Sequence, residues 1–328
     1  MITLLIAVYN TEDYLHRCLD SLLVQTYTDW QAICIDDCST DASLTILKEY
    51  EHIDDRITVM HLNENQGQAY ARNQGLLHAK GEYITFLDSD DWLAPDALEQ
   101  IALTFQNHPQ TDSVLFDVIY VYPNGQTHGY PTVQFDVMSG FQAFKASLSW
   151  QIHGVYAARS NLYQQCPYDE SCKSYSDDNT TRLHYFLSRE VRWCHGIYYY
   201  WQSNNSSTHV KDTSRLNYLC ATASMRTQLE KLDLGSYHDE IMQIHESHAW
   251  AILIDTYYFY VRNRNHFNCE QRRECISELK KHWNIIKATE SKFGYRHCTC
   301  WWQFRLQEEM YFLLRMLKDY FVKNRILI

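Results

Sequence analysis

The sequence is poor in cations and contains no long apolar run. Lys and Arg number 29 against 40 Asp and Glu, so the formal net charge of the 328 residues is −11. Such a chain lacks the clustered positive charge that general nucleic-acid binding needs, and we expect no nucleic-acid partner. Every apolar stretch is far shorter than the roughly 18–20 residues of a membrane span. Met1 leads into an apolar strand followed by Glu12 and Asp13, without the basic segment that begins a signal peptide. We therefore expect a cytoplasmic protein, at most peripheral on the inner face of the membrane.

The sequence also lacks a recognisable cysteine framework. Its 11 cysteines are odd in number and scattered along a chain large enough to fold without disulfides. We expect reduced thiols in a cytosolic compartment. Cys298 and Cys300 follow His297, but no second pair at zinc spacing accompanies them, so the pattern does not favour a zinc site.

Charge and turn residues divide the chain into two parts. Residues 1–210 contain 11 basic and 26 acidic side chains, whereas residues 211–328 contain 18 basic and 14 acidic ones. Beyond residue 213, glycine occurs only at 235 and 294 and proline is absent, which is typical of helices. We predict one domain over residues 1–212, with a boundary near 110, and a helical carboxyl-terminal region over residues 213–328.

Strands alternate with helices in the first 110 residues. The pattern predicts strands at 3–8, 30–35, 57–62 and 83–87, a helix that starts after Thr11, and helices at 42–50, 68–79 and 95–107. Farther on it predicts strands at 113–122, 150–160 and 191–201 and helices at 139–148 and 176–190. The expected fold class is α/β, with a Rossmann-like, mostly parallel sheet flanked by helices. In such sheets ligands bind beyond the carboxyl ends of the strands.

Acidic clusters follow two of the predicted strands. Asp36 and Asp37 end one strand, and Asp88, Ser89, Asp90 and Asp91 follow another. Carboxylates this close repel one another, and they persist where a cation or hydrogen-bond donors offset the charge. Two carboxylates of the second cluster, at positions 88 and 90, can share a divalent ion such as Mg²⁺ or Mn²⁺, whose other ligands would be phosphate oxygens. A single such cluster is more often a solvated turn or a helix cap, but two at two strand ends favour function.

Two segments carry a family resemblance. They read AVYNTEDYLHRCLDSLLVQTYTDWQAICIDDCSTDAS and NQGQAYARNQGLLHAKGEYITFLDSDDWLAPDAL. Together they resemble the family 2 glycosyltransferases, which are inverting, nucleotide-sugar-dependent enzymes of the GT-A fold. The resemblance is nearly continuous over residues 2–108 and weaker to about 210, through SDDNTTRLHYFL and YYYWQSNNSSTH. It implies a nucleotide-sugar half (1–110), an acceptor half (111–212), a UDP-sugar donor, and a glycan or lipid-linked acceptor in bacterial surface polysaccharide synthesis.

The resemblance also implies roles for individual residues. The implied donor-binding positions are Tyr9, Asn10, Asp37, Arg72, Asn73, Asp88, Ser89 and Asp90. Among them, Asp37 would contact the base. Asp88 and Asp90 form the DxD motif, in which Asp90 would be the principal ligand of Mn²⁺ or Mg²⁺ and Asp88 would contact ribose or metal-bound water. Trp92 would lie near the sugar, and Asp178 would be the catalytic base.

These implied roles agree with the chemistry of the reaction. Charge develops on the departing diphosphate, where a divalent cation stabilises it as a Lewis acid. The acceptor hydroxyl is a weak nucleophile and needs a carboxylate within hydrogen-bond reach to take its proton. A single displacement inverts the anomeric centre and requires no covalent enzyme intermediate. The absence of a serine–histidine or cysteine–histidine constellation is therefore expected.

The sequence departs from the family pattern at two places, and the role of a third position is open. Cys38 stands where DDGSTD has glycine, and it would be strained if that position needs a positive φ. The usual ED pair is Asp177-Asp178, which leaves open which of the two is the base, although Asp178 is favoured. His209 lies where some GT-A enzymes supply a third metal ligand, but a lone histidine is more often structural.

Two aromatic or apolar features have more than one interpretation. The run from Tyr198 to Trp201 could offer a sugar-stacking platform or ordinary core residues. A stripe at spacings of three or four near the carboxyl end comprises Trp302, Leu306, Met310, Leu313, Leu317 and Phe321. It favours a helix packed on the catalytic domain or on a second subunit, as in a homo-oligomer. The alternative is an interfacial helix, with 301–328 in peripheral contact with anionic lipid.

Other classes of function fit less well. A nucleotidyl transferase usually has, near the start of the chain, a glycine-rich phosphate loop with a basic residue. Residues 7–11 contain neither the glycines nor the basic residue. A catalytically inactive GT-A scaffold or glycan-binding protein has no need of the four carboxylates at 37, 88, 90 and 178. An aspartate-phosphorylation module would explain acidic strand ends, but the order and spacing fit the transferase better.

Overall fold

The structure is a computed structural model that describes residues 1–172, 174–202, 212–288 and 300–323, with side chains described as far as residue 314. It divides into two compact units, Met1–His209 and Val210–Ile328. The first unit is built on a sheet and the second on helices.

The amino-terminal half of the sheet is parallel, as the alternation predicts. Its elements are β1 (Ile2–Val8), α1 (Glu12–Leu23), β2 (Trp30–Asp36), α2 (Ser43–Ile53), β3 (Ile57–His61), α3 (Gln68–Leu76) and β4 (Tyr83–Phe86). β1 lies between β2 and β4 and is parallel to both, and β3 is parallel to β2. Most residues of β1, β2 and β4 are buried because helices cover both faces of the sheet.

The other half of the sheet is mixed. Its elements are β5 (Trp92–Leu93), α4 (Ala97–Asn107), β6 (Thr111–Val121), β7 (Thr127–Gly129), β8 (Val137–Ser139), α5 (Gly140–Leu148), β9 (Tyr156–Arg159), α6 (Ser160–Gln165), α7 (Asp177–Leu187) and β10 (Glu190–Trp201). The strands run in the order β3-β2-β1-β4-β9-β6-β10-β5, with β7 on β6 and β8 on β10. β9 is antiparallel to both β4 and β6, whereas β10 is parallel to β6. The α/β class with flanking helices is confirmed, but the expected parallel arrangement is confined to β1–β4 and the β6–β10 pair.

Alternation along β1 assigns helices to the two faces of the sheet. Leu4 belongs to an apolar cluster with Leu15 of α1 and Leu98 of α4. Its neighbour Leu5 belongs to a second cluster, with Ala71 of α3 and residues of α5 and α7. Successive side chains of a strand point to opposite faces, so one strand supplies both cores. The two cores hold the sheet rigidly and fix the positions of the loops at its edge.

The carboxyl-terminal unit is helical, as predicted. Its longer helices are α8 (Asn217–Lys231), α9 (His238–Asn263), α10 (Cys269–Ala288) and α11 (Trp301–Lys323). Its core is aromatic, and Tyr257, Trp283 and Phe304 lie in one buried cluster. Within the described part of the chain, no helix combines the length and the apolar character needed to cross a bilayer.

The buried face of α11 differs from the stripe that the sequence predicts to be packed. Phe304 and Phe312 are buried. Four of the predicted stripe residues, Trp302, Leu306, Met310 and Leu313, are each more than half exposed. These four side chains are therefore not part of the unit's own buried core, and what covers them stays a prediction. The physical reason is that α11 has apolar residues on two faces, and the unit's aromatic core takes the face with Phe304.

Candidate active site

Three strands of the parallel half end at the same edge of the sheet. β1, β2 and β4 are mutually in register and parallel. Asn10 follows β1, Asp37 follows β2 and Asp88 follows β4. Loops at the carboxyl ends of parallel strands form the crevice in which α/β proteins bind ligands. The structure thus brings the two acidic clusters of the sequence to one crevice.

Asp37 holds the turn that starts α3. Its Oδ1 accepts the backbone N–H of Gln66 at 2.9 Å, and its Oδ2 accepts that of Gly67 at 2.8 Å. Gly67 has φ 94, a left-handed conformation that favours glycine. Asp37 is buried, and both of its oxygens are engaged by this turn. The contact with a nucleotide base expected at Asp37 stays a prediction.

The loops after β1 and β2 are tied together by polar contacts. The Asn10 side-chain oxygen accepts the N–H of Thr40 at 2.8 Å, and the Ser39 hydroxyl accepts the N–H of Asn10 at 3.1 Å. Asn10 has φ 51 and Cys38 has φ 63. The glycine of the family pattern is therefore replaced by cysteine at a position with positive φ, where any side chain is strained. The Cys38 thiol donates to the Asn63 carbonyl at 3.6 Å.

The first carboxylate of the DxD motif is paired with a buried cation. Arg72 Nη2 donates to Asp88 Oδ1 at 2.6 Å, and the Gln68 amide donates to the same oxygen at 2.7 Å. Arg72 is only 1% exposed, with its guanidinium carbon 4.1 Å from the centroid of Phe86. Burial raises the pKa of Asp88, and the charge of Arg72 opposes that rise. Asp88 thus forms an ion pair with Arg72 through its Oδ1 atom.

Among the residues that the structure describes, none forms an ion pair with the side-chain carboxylate of Asp90, the second carboxylate of the motif. Burial raises the pKa of Asp90 to about 6, and the negative charge of Asp88 adds to the rise. Arg17 donates to the backbone carbonyl of Asp90 at 2.8 Å, with its guanidinium between the rings of Trp92 and Trp201, 3.8 Å and 4.6 Å from their centroids. A carboxylate with a raised pKa beside another carboxylate is the arrangement that a divalent cation stabilises. The oxygens at 88 and 90 therefore fit a hard cation such as Mn²⁺ or Mg²⁺.

A third carboxylate, Asp91, anchors the motif to β10. Its Oδ2 accepts the hydroxyl of Tyr198 at 2.8 Å, and its Oδ1 accepts the backbone N–H of Trp201 at 2.7 Å. The same Tyr198 oxygen accepts the backbone N–H of Asp88 at 3.1 Å. Tyr198 is therefore a buried link between the two ends of the motif, and the core interpretation of the aromatic run holds for it.

Both candidates for the base lie at the start of α7. Asp177 Oδ2 is 3.6 Å from Nη1 of Arg72, so the guanidinium that pairs with Asp88 also faces Asp177. The pKa of Asp178 is raised to about 7 by burial, against the charge of Arg182 and with that of Asp177. A base works best when its pKa is near the working pH. The structure brings the pair to the crevice, and the choice of Asp178 as the base stays a prediction.

The other implied donor-binding residues have different surroundings. Asn73 clamps a loop, because its amide donates to the Tyr168 carbonyl at 2.9 Å and its oxygen accepts the Tyr168 N–H at 2.9 Å. The Asn73 amide also donates to Glu170 Oε1 at 2.5 Å. Tyr9 is exposed and Ser89 is buried. Their roles toward a donor stay predictions.

Possible ligands outside the DxD motif are mostly beyond the described residues. His209 lies outside them, as do His297 and Cys298. Within the ranges that the structure describes, no group of three or more His, Cys, Asp or Glu side chains is placed to hold a metal ion.

Sequence reasoning missed two residues that shape the crevice, Arg17 and Gln68. It named Asp91 in the acidic cluster and Tyr198 in the aromatic run, but it did not predict the hydrogen bond between them. Arg17 and Tyr198 reach the motif from 73 and 110 residues away along the chain. Such contacts follow from the topology of the sheet and have no local pattern.

Comparison with known proteins adds to this geometry. The model of Glycosyl transferase family 2 matches residues 3–164. TuaG of Bacillus subtilis strain 168, named as a teichuronic acid biosynthesis glycosyltransferase, is 45% identical over 100 residues, which are 30% of this chain and 40% of TuaG. The chain spans less than half the length of the first curated relatives that it matches.

Two solved structures share the fold. Staphylococcus aureus TarS 1-349 in complex with UDP-GlcNAc has a TM-score of 0.67 at 20% identity, covering 87% of this chain and 81% of that chain. The mannosyltransferase PcManGT from Pyrobaculum calidifontis, in complex with GDP-Man and Mn²⁺, has a TM-score of 0.50 at 14% identity, covering 90% and 88%. At these identities the likeness establishes the fold alone.

Proposed function

Residues 3–164 belong to glycosyl transferase family 2, and from this premise we propose that the protein is an inverting glycosyltransferase. It moves a sugar from a nucleoside diphosphate sugar, most simply a UDP-sugar, to a hydroxyl of a glycan or lipid-linked acceptor. The setting is bacterial surface polysaccharide synthesis, in line with the name of TuaG. Residues 1–110 form the nucleotide-sugar half of the catalytic domain and residues 111–212 the acceptor half.

One observation carries the proposal. A single buried guanidinium, that of Arg72, faces Asp88 at 2.6 Å and Asp177 at 3.6 Å. It therefore joins the motif expected to hold the donor to the pair of carboxylates expected to supply the base. If the two acidic segments were ordinary solvated turns, we would not expect them to meet at one buried arginine. A transfer reaction, in contrast, needs the donor site and the base in the same crevice.

The donor end of the crevice would hold a divalent cation. Asp90 would be the principal ligand, and Asp88 would contribute through the oxygen that Arg72 and Gln68 leave open. Mn²⁺ or Mg²⁺ bound there supplies Lewis-acid stabilisation of the charge on the departing diphosphate. Arg72 adds a fixed positive charge on the same side, and Tyr9, Asn10, Asp37, Asn73 and Ser89 line the remaining donor site.

The acceptor end would supply the base. The acceptor oxygen bonds to the anomeric carbon while the bond from that carbon to the diphosphate oxygen breaks. The electron pair leaves with the diphosphate, and the acceptor proton passes to Asp178. A pKa of about 7 lets Asp178 take that proton near neutral pH. Attack from the face opposite the leaving group inverts the centre in one step.

The test is a thermal-shift panel of nucleoside diphosphates and nucleotide sugars, with and without Mn²⁺. A ligand at about 100 times its dissociation constant stabilises the fold by about 2.7 kcal/mol. We expect a metal-dependent response to one nucleotide, its loss in Asp90→Asn, and no turnover in Asp178→Asn. No response to any nucleotide would favour the alternative, a catalytically inactive GT-A scaffold or glycan-binding protein.

We also propose that residues 301–328 make a peripheral contact with the inner face of the membrane, where a lipid-linked acceptor would reside. The exposed residues Trp302, Leu306, Met310 and Leu313 support it, together with the cations of this segment. Flotation of the full chain with anionic vesicles, against a Leu306→Glu/Met310→Glu variant, tests it. Equal flotation of the parent chain and the variant would reject the membrane contact. If the variant differed from the parent only in molar mass, measured by light scattering, the exposed face of α11 would instead be an interface of a homo-oligomer.

A further inference from the structure

Trp150 is an exposed aromatic residue in a strained backbone conformation. It has φ 56 and is 45% exposed. Its N–H donates to the Ser147 carbonyl at 3.2 Å, and its own carbonyl accepts the Tyr130 hydroxyl at 3.2 Å. A bulky side chain at positive φ is costly, and such positions concentrate at functional sites. The contacts hold the backbone of Trp150 and leave much of the ring open to solvent.

Arg182 lies against this ring with its donors unused. Its guanidinium carbon is 5.2 Å from a Trp150 ring centroid, and the residue is only 7% exposed. Within the described residues, Arg182 makes no hydrogen bond and no ion pair. A guanidinium carries five N–H donors, and those of Arg182 are not among the fully buried donors that lack a partner, so they reach the solvent beside the indole. Donors that reach the surface next to an open aromatic face suit a ligand with many oxygens.

The two residues stand beside Asp178. Asp178 and Arg182 are four residues apart on α7, so both lie on one face of that helix. Gly154 borders the same place, since a Cβ there would lie 3.8 Å from Asp178 Oδ1 and 3.5 Å from Thr181. Arg182 thus contacts the Trp150 ring and lies near enough to Asp178 for its charge to lower the pKa of that carboxyl.

We propose that Trp150 and Arg182 form a carbohydrate subsite for the acceptor. The apolar face of a pyranose stacks on the indole, and the guanidinium donates hydrogen bonds to oxygens of that sugar. The arrangement presents an acceptor hydroxyl to Asp178. This inference rests on the proposed function and deepens it, because it specifies an acceptor that offers a sugar ring at the point of attack.

The experiment uses the full chain with Mn²⁺ and the nucleotide sugar selected by the thermal-shift panel. The probes are methyl α- and β-glycosides of glucose, galactose, mannose and N-acetylglucosamine, and the readout is release of the nucleoside diphosphate above its release to water. We expect at least one glycoside to accelerate release. Trp150→Ala should then raise the KM for that glycoside about tenfold. Trp150→Phe, which keeps a ring, should stay near the parent value.

Readouts on the donor side separate this inference from its premise. Trp150→Ala should leave the nucleotide-dependent thermal shift unchanged, because that shift reports on the donor site. The matched control Leu103→Ala, another exposed apolar residue, should leave release to water, the glycoside KM, the thermal shift and the melting temperature unchanged. Arg182→Gln should raise the glycoside KM in the same direction. If no glycoside alters release, or if Trp150→Ala leaves KM unchanged, the subsite is rejected. Absence of any nucleotide response would instead reject the proposed function.

Discussion

Arg72 donates from Nη2 to Oδ1 of Asp88 across 2.6 Å, inside a site where the arginine is almost fully buried. Burial by itself would lower the pKa of Arg72, but the nearby negative charges, that of Asp88 foremost, raise it. The Nε and Nη1 atoms of Arg72 are buried and have no hydrogen-bond partner within the described part of the chain. A buried cation with free donors at the DxD motif suits an anionic group of a donor.

The Arg72–Asp88 pair should show strong energetic coupling. Removing one member leaves the other charge buried without its partner, so Arg72→Gln and Asp88→Asn should each lower the free energy of unfolding by about 3–5 kcal/mol. The double variant should cost less than the two together, with a coupling of about 1–3 kcal/mol in urea titrations. Lys48→Gln, which breaks the surface pair with Glu51, is the matched control and should cost less than about 1 kcal/mol. Additive losses at 72 and 88 would contradict the pairing.

The pH dependence of transfer should follow Asp178. Burial raises its pKa to about 7, so the base is protonated below that pH and kcat/KM should fall about tenfold per pH unit there. Above it the rate should level off. Because the charge of Arg182 holds this pKa down, Arg182→Gln should move the inflection to higher pH. Asp177→Asn should keep a base-limited profile, and a profile that follows Asp177 instead would reassign the base.

The same raised pKa has a consequence for stability. An Asp whose pKa is higher in the folded state than in the unfolded state binds more protons when folded, so stability falls as pH rises between the two values. For Asp178 that interval runs from about 4, the unfolded value, to about 7. Asp178→Asn should flatten the loss of unfolding free energy over this interval, measured without metal or nucleotide. An unchanged slope would contradict the raised pKa.

Periodicity was enough to predict most elements of the first unit. The apolar run that became β1 and the spacing of Leu15 and Leu19 on α1 are local patterns, and local patterns reveal strands and helices. β5 has two residues, Trp92–Leu93, too few for any period to be visible. The direction of β9 depends on its place between β4 and β6, which no local pattern specifies.

The residues of the candidate site that lie close together in the sequence could be predicted. The contacts between residues far apart in the sequence could not. Asp88 and Asp90 are adjacent in sequence to the strand that carries them, and their place at the sheet edge follows from topology rules. Arg72 meets Asp177 across 105 residues, and Trp150 meets Arg182 across 32, through folding alone. On α11 the period was correct, but two apolar faces competed and the sequence did not decide between Phe304 and Leu306.

Tyr198→Phe should loosen the DxD motif. The hydroxyl accepts the N–H of Asp88 and donates to Asp91, so its removal leaves a buried donor and a buried carboxylate short of one partner each. Each unsatisfied group costs about 1–3 kcal/mol. We expect a loss of stability of that order and a weaker metal-dependent thermal shift with the nucleotide. Tyr199→Phe is the matched control, since Tyr199 stacks on Trp92 through its ring, which phenylalanine keeps. If Tyr198→Phe and Tyr199→Phe changed stability and the thermal shift equally, the Tyr198 hydroxyl would not be what stabilises the motif.

Cys38 should be replaceable by glycine with a gain in stability. Its φ of 63 costs a non-glycine residue about 1–2 kcal/mol. Glycine also raises the conformational entropy of the unfolded chain, which lowers the free energy of unfolding by about 0.4–1 kcal/mol. Cys38→Gly should therefore raise the free energy of unfolding by up to about 1.6 kcal/mol, as the difference of these two terms. Cys38→Val should lower it, because a β-branched side chain fits this conformation worst. Urea titrations of both variants decide the matter, and a Cys38→Gly variant less stable than the parent would show that the 3.6 Å contact from the thiol to the Asn63 carbonyl outweighs the strain.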